Sequence, residues 1–435
     1  MGNRKKYWKS EAELSSDNKM ITDLKNNEFA EQLPTDSFLE DKSSLKNSNT
    51  NRRDFLKYLG FSTAAATLAS CEGPVNRSIP YVVQPERIIP GISNFYATSI
   101  ADGFDFANVL IKTREGRPIK IEKNIKAKVK SSANARVQAS VLSMYDSLRL
   151  KGPTKEGQDI TWDLLNQNIV SELESMKDSN SEVVLLTQTF ASPSTEQIIE
   201  DFKEKYSNVR HVVYDAISDS KALDAFEIAY GERALPTYNF SNADVIVSVG
   251  ADFLGDWQGG GHDSGYVKGR VPVKDGNNKA KMSKHFQLES NMSISGANAD
   301  KRISLTPTQQ KIALAKIYGY ISGLEVSGQL PDNIEISIKQ IANSLLKAGN
   351  KGIIITGIDD VNAHLLAYSI NDLLKSLSFI KDELSLIRKG NDKEVLELIK
   401  DLNSGKVKGV IMSGVNPAYT LPNSEEFISG IKKAN

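Results

Sequence analysis

Few residues of this 435-residue chain are equipped for chemistry, and they are unevenly placed. Cys71 is the only cysteine. That excludes a disulfide framework, an iron–sulfur cluster held by four cysteines and a cysteine-rich zinc site within these residues. His211, His262, His285 and His364 show no metal-ligand spacing and read as ordinary core or surface residues. Cys71 closes an ordered series: Arg52 and Arg53, then Phe55-Leu56-Lys57, then a mild apolar run ending in Leu68-Ala69-Ser70-Cys71. A basic region, an apolar region and a small-residue exit form an export signal, and the arginine pair points to the twin-arginine route. The last four residues have the form of a lipobox, in which the cysteine sulfur receives a diacylglycerol. The run 58–70 is about one third too short to cross a ~30 Å hydrocarbon core as a helix. Against a buried helix with an inert cysteine stand Gly60, the threonines and the lack of a polar face at a 3.6-residue period.

The elements around this series fall into regions. Residues 1–50 have the composition of a disordered leader, rich in Asn, Ser, Asp, Lys and Glu. Two aromatic islands in it, around Tyr7-Trp8 and Phe29, suggest a docking peptide. Lys6 occupies the place where a myristoylation motif wants Ser or Thr, so lipidation at Gly2 is rejected. The signal with its lipobox takes 51–72. Pro74, Pro80, Pro85 and Pro90 make 73–95 an extended tether. A small β-rich domain is expected over 96–153: strands at 108–113 and 117–122 joined by Arg114-Glu115-Gly116, then a helix over 133–149. Over 154–435, apolar runs at 183–187, 209–214, 245–249, 352–356 and 407–412 alternate with helical patterns at 195–204, 222–229, 360–374 and 393–402. Continuous apolar strands between helices predict an α/β body with a doubly wound, mostly parallel sheet. Lys plus Arg and Asp plus Glu each total 54, so no global field draws the chain to nucleic acid.

Several passages resemble a known family. Val109-Leu-Ile-Lys-Thr-Arg-Glu-Gly-Arg-Pro-Ile-Lys-Ile-Glu122 is similar to the start of the molybdopterin oxidoreductases, which bind a bis-guanine-dinucleotide molybdenum cofactor. Tyr145-Asp-Ser-Leu-Arg-Leu-Lys-Gly-Pro153, followed by Ile160-Thr-Trp-Asp163, resembles their next passage. A nearer likeness is to one branch, the B subunit of alternative complex III, a membrane quinol-oxidising respiratory assembly. The residues that carry it are Tyr7-Trp8-Lys9-Ser10, the twin-arginine signal, the stretch from Asn242 to Trp257, and Ser295-Gly-Ala-Asn-Ala-Asp300. The least specific part lies near 330–350, read as a linker. The resemblance implies the family's α/β fold.

Departures from the family pattern bear on function. Where catalytic members carry cluster cysteines, this chain has Tyr96-Ala-Thr-Ser-Ile-Ala-Asp-Gly-Phe104 and, after the hairpin, Ser131 and Ser132. The family's Gly-x-Asn-Pro cofactor turn appears as Gly250-Ala251-Asp252-Phe253, and an Asp repels phosphate where Asn would donate. Its Pro-Gly-Thr-Asp turn appears as Pro307-Thr308-Gln309-Gln310, without the glycine that lets backbone approach a ligand. Gly414-Val415-Asn416-Pro417 alone keeps the older form. Gly250, Asp252, Pro307 and Asn416 are therefore vestigial positions, with no catalytic, metal or cofactor-binding residue expected. The resemblance implies a non-catalytic scaffold on the periplasmic face of the inner membrane, anchored by lipid. Its expected partners are the twin-arginine translocase and the other subunits of a respiratory complex. No cofactor is expected here. Iron–sulfur clusters are expected only in a downstream domain, the α/β body being read as incomplete at its C-terminus. The alternative is an active molybdopterin-dependent oxidoreductase that keeps its cofactor through backbone contacts. A third reading, a nucleotide-binding α/β protein, draws on Gly259-Gly260-Gly261, but that run lacks the Lys-Ser/Thr of a P-loop and is not expected between a strand and a helix start.

Overall fold

A computed structural model describes residues 88–89, 91–128, 133–274 and 280–434. Arg52, Arg53, Phe55, Leu56, Cys71, the leader, and Ser131 and Ser132 lie outside the described residues. The chain divides into two units, Met1–Asn94 with Arg114–Gly116, and Phe95–Thr113 with Arg117–Asn435. Little of the first is described, and the elements below belong almost wholly to the second.

Three strands come first, β1 (Asn94–Asp102), β2 (Asp105–Arg114) and β3 (Arg117–Lys123), in one sheet of that order. Glu115 and Gly116 both take positive φ, 50° and 77°, the backbone of a primed hairpin turn. Ala107, Val109 and Ile121 pack on Val137 and Val141. The helix expected over 133–149 is shorter: α1 (Ala135–Ala139), then a 3-10 turn from Ser140 to Tyr145. Asp146 ends it by turning extended and accepting the Leu148 amide at 2.8 Å, a local bond that competes with helix.

Next come β4 (Thr154–Lys155) and β5 (Gln158–Asp159), α2 (Trp162–Asp178), β6 (Glu182–Thr187), α3 (Pro193–Lys205), β7 (Val209–Val213), α4 (Ser220–Tyr230), β8 (Leu235–Tyr238) and β9 (Val245–Val249). They are followed by α5 (Asp263–Arg270), β10 (Val273–Lys274), β11 (Ala280–Lys281), β12 (Lys284–Glu289), α6 (Ile294–Ala297), β13 (Lys301–Ser304), α7 (Pro307–Ser322) and α8 (Asp332–Ala348). The chain continues through β14 (Gly352–Thr356), α9 (Val361–Leu374), β15 (Phe379–Ser385), α10 (Asp392–Ser404), β16 (Val407–Ser413), α11 (Pro417–Thr420) and α12 (Ser424–Ile431).

The parallel α/β architecture is as expected, and its strands are shared between two parallel sheets. One has the order β13-β12-β9-β14, the other β16-β6-β7, with β8 and β15 forming an antiparallel pair. The outer edge of β14 is already occupied. Asn371 of α9 accepts the Ile354 amide at 2.9 Å and donates to the Ile354 carbonyl at 2.8 Å. On β7 the Val213 carbonyl accepts the Asn391 amide. Backbone groups so engaged cannot extend a sheet. The larger core lies where α7, α8 and α9 cover β9, β12 and β14, burying Val247, Leu288, Ile354, Leu314, Ile341 and Ile370. Burial of each such side chain contributes about 1.5–3 kcal/mol.

Residues 330–350, read as a linker, are mostly α8. Ile338, Ile341, Ala342 and Leu345 form its buried stripe at helical spacing. β12 escapes an apolar-run reading because one face of it is polar and still buried: His285, Gln287 and Glu289. No helix among the described residues is long and apolar enough to cross a membrane.

Candidate functional site

The turns singled out in the sequence follow the carboxyl ends of parallel strands, where open α/β sheets place ligands. Gly250 leaves β9 with φ 74°. A Cβ there would lie 2.8 Å from Gln310 Oε1, so the space beside Gly250 is filled by a side chain of α7. Gln310 is 6% exposed, and its Nε2 donates to Ser290 Oγ at 2.7 Å. Gly357 packs as closely from the other side, where a Cβ would meet the Gly250 carbonyl oxygen at 2.4 Å. The glycines are thus required by contacts within the chain.

Asp252 is equally engaged. Its Oδ1 accepts from the Ser295 amide at 2.8 Å and from Ser295 Oγ at 2.7 Å, and Ser295 Oγ in turn accepts the Leu254 amide at 2.9 Å. Pro307 is the first residue of α7, and the passage resembling a cofactor turn is a helix start. Thr306 accepts the Gln309 amide while the Gln309 side chain accepts the Thr306 amide, a reciprocal capping box. The structure brings Gly250 and the Pro307 turn together through Gln310. Asn416 is exposed, follows β16 on the other sheet, and takes the Tyr419 and Thr420 amides on its carbonyl.

A cleft of about 400 Å³ lies elsewhere in this unit, lined by residues that include Phe104, Asp105, Phe106, Lys123, Tyr238, Gln258, the three glycines and His262. A second space of about 770 Å³ shares Lys123, Tyr238, Gly261 and His262 with it. The glycine run leads directly to α5, so it does precede a helix start, which the sequence reading did not expect. Gln258, Gly259, Gly260 and Gly261 all hold positive φ (50°, 92°, 73° and 85°), unusual for the glutamine. Gln258 is 7% exposed and its Nε2 has no hydrogen-bond partner; His262 Nε2 also has none. Tyr238, Phe240 and Trp257 surround the His262 ring at 5.4–6.1 Å between centroids. Burial pushes that imidazole down to about 4, so it is neutral at neutral pH. Three glycines before a helix were the only sequence signal of this place; nothing marked Gln258.

Arg136 fixes the loop that carries the glycines. Its guanidinium donates to both carboxylate oxygens of Asp105, at 2.6 and 2.8 Å, and to both of Asp256. Burial alone would raise Asp105, but hydrogen bonds from Arg136 and Asn134 outweigh it and hold the carboxyl below its ordinary value. Asp105 and Asp256 in turn push Arg136 further up. Arg388, buried, lies 3.4 Å from the Phe104 ring centroid and 3.1 Å from Asp219. Burial raises Asp219 above its ordinary value, against the pull of Arg388. No group of three His, Cys, Asp or Glu side chains among the described residues is arranged to hold a metal ion.

No protein-family model matches the chain, and no curated protein matches it. Among solved structures it is similar to acetylene hydratase from Pelobacter acetylenicus, with TM-score 0.48 and 11% identity over 76% of this chain and 58% of that one. It is also similar to the formyltransferase/hydrolase complex from Methylorubrum extorquens in complex with methylofuran, with TM-score 0.40 and 16% identity over 58% of this chain and 75% of that one. The chain thus spans 58% of the length of the acetylene hydratase it matches.

Proposed function

We propose that this chain is a non-catalytic, molybdopterin oxidoreductase-like scaffold in a membrane-associated respiratory complex that oxidises quinol. In this reading it is exported by the twin-arginine route and held at the periplasmic face of the inner membrane through lipid on Cys71. Other parts of the assembly carry the electrons. The reading draws on the sequence resemblance, which includes the Tyr7-Trp8-Lys9-Ser10 island and the stretch from Asn242 to Trp257.

The observation that carries the non-catalytic part is the filling of the 250–253 turn. A pyrophosphate there needs donors and room. Asp252 offers a carboxylate already committed to Ser295, and Gln310 turns an acceptor oxygen toward Gly250. Acceptors facing a phosphate repel it. These residues do not fit the family's cofactor.

The test is elemental analysis of the chain purified from membranes with the subunits that accompany it. Molybdenum and tungsten are expected far below one atom per chain. A stoichiometric amount of either would overturn the reading in favour of an active molybdopterin-dependent oxidoreductase.

A further inference from the structure

We propose that the cleft at the start of α5 binds the oxyanion group, phosphate or carboxylate, of a small organic molecule, with Gln258 Nε2 and the first-turn amides of α5 as donors. The helix supplies part of the site. The amides of Asp263, Ser264 and Gly265 have no partner within α5, and the residue before them, His262, makes no side-chain capping bond. The N-terminus of an α-helix carries partial positive charge and favours an anion. Consecutive positive φ values from Gln258 to Gly261 turn the backbone ahead of the helix into a concave loop.

Gln258 is the independent sign that a ligand belongs here. A buried amide N–H without a partner is costly, and folded proteins rarely keep one. Gln258 lines the same cleft, is 7% exposed as a residue, and is held in a left-handed backbone that a glutamine seldom adopts. His262 Nε2, also without a partner, lines the same wall. Lys123 brings a positive charge to the cleft. Of the two carboxylates on its lining, Asp105 accepts from Arg136, which it shares with Asp256, and from Asn134, whereas Asp263 is exposed. Phe106, Pro236 and Tyr238 give the body of the molecule an apolar wall, and about 400 Å³ is ample for a small ligand. The inference is independent of the scaffold reading, since it uses neither the Gly250 turn nor the Pro307 turn.

Calorimetric titration of the full chain at low salt tests it, with inorganic phosphate, adenosine monophosphate and benzoate as probes. One site per chain is expected for at least one probe. Binding of the two phosphates and not benzoate assigns a phosphate ligand, and the reverse assigns a carboxylate. Gln258→Leu should weaken that binding about tenfold without lowering Tm, because the leucine removes an amide that the unliganded fold leaves unpaired. Should that variant fail to fold, Gln258→Glu keeps the shape, sets a carboxylate against the anion, and should lose binding at least as far. No heat from any probe at millimolar concentration overturns the proposal, and so does a folded Gln258 variant that binds like the wild type.

Discussion

His262, His285 and His364 are each pushed down to about 4 by burial. His285 is also fixed by its neighbours: its Nε2 donates to Gln287 Oε1 at 3.1 Å, and Tyr266 Oη lies 3.2 Å from its Nδ1. An imidazole that titrates near 6.5 when unfolded and near 4 when folded binds its proton more readily in the unfolded chain. The stability it contributes is therefore complete above pH 6.5 and lost as pH falls toward 4, by about 3 kcal/mol per group. Urea unfolding at pH 7 and pH 4.5 should show a clear drop in midpoint at the lower pH. The ring resonances of these three histidines should stay flat between pH 5.5 and 7.5. A ring that titrates near 6.5 would mean that its burial is not as described. None of this was readable from the sequence, where four scattered histidines look alike. Much of what surrounds them lies on other elements, as Tyr266 of α5 does for His285.

At the scale of elements, Asn371 does what a neighbouring strand would do. One carboxamide pairs with both backbone groups of Ile354 on the edge of β14, and nearby Ser376 Oγ donates to the Gly352 carbonyl at 2.6 Å. Asn371→Ala should leave a buried N–H and C=O unpaired and cost about 2–4 kcal/mol, seen as a lower unfolding midpoint. A loss under about 1 kcal/mol would show that water or a shift of α9 replaces the pair. The sequence was informative where an element's own residues decide its form. The apolar runs at 245–249 and 352–356 are strands, and Asp360 caps the helix expected there. It was silent on β12, whose inward polar residues are tolerated because they bond to one another and to groups outside the strand. Gln287 Nε2 donates to the Ala251 carbonyl and to Glu289, which also accepts from Arg302 and Ser293. The division of the parallel strands between two sheets was hidden for a similar reason, since edge contacts such as that of Asn371 with Ile354 join residues of different elements.

At the scale of the whole molecule, the proposed route and anchor depend on Arg52, Arg53 and Cys71. Replacing both arginines with lysine should retain the protein in the cytoplasm, since the lysine ammonium lacks the planar guanidinium fork. Cys71→Ala should abolish incorporation of labelled fatty acid. Wild-type protein that is exported and unlabelled would remove the anchor from the proposal. The sequence marked the turns after β9 and β16 as places of interest, yet the cleft with unsatisfied donors lies at the glycine run. Its making depends on Arg136, which ties Asp105 at the start of β2 to Asp256 just before the glycines. Three adjacent glycines, left alone, would sample many shapes, and a ligand would have to select one of them at an entropic cost. With the loop clamped at its root by a guanidinium joined to two carboxylates, much of that ordering is complete before anything binds. The clamp thus acts on affinity from outside the cleft, by narrowing the ensemble that a ligand meets.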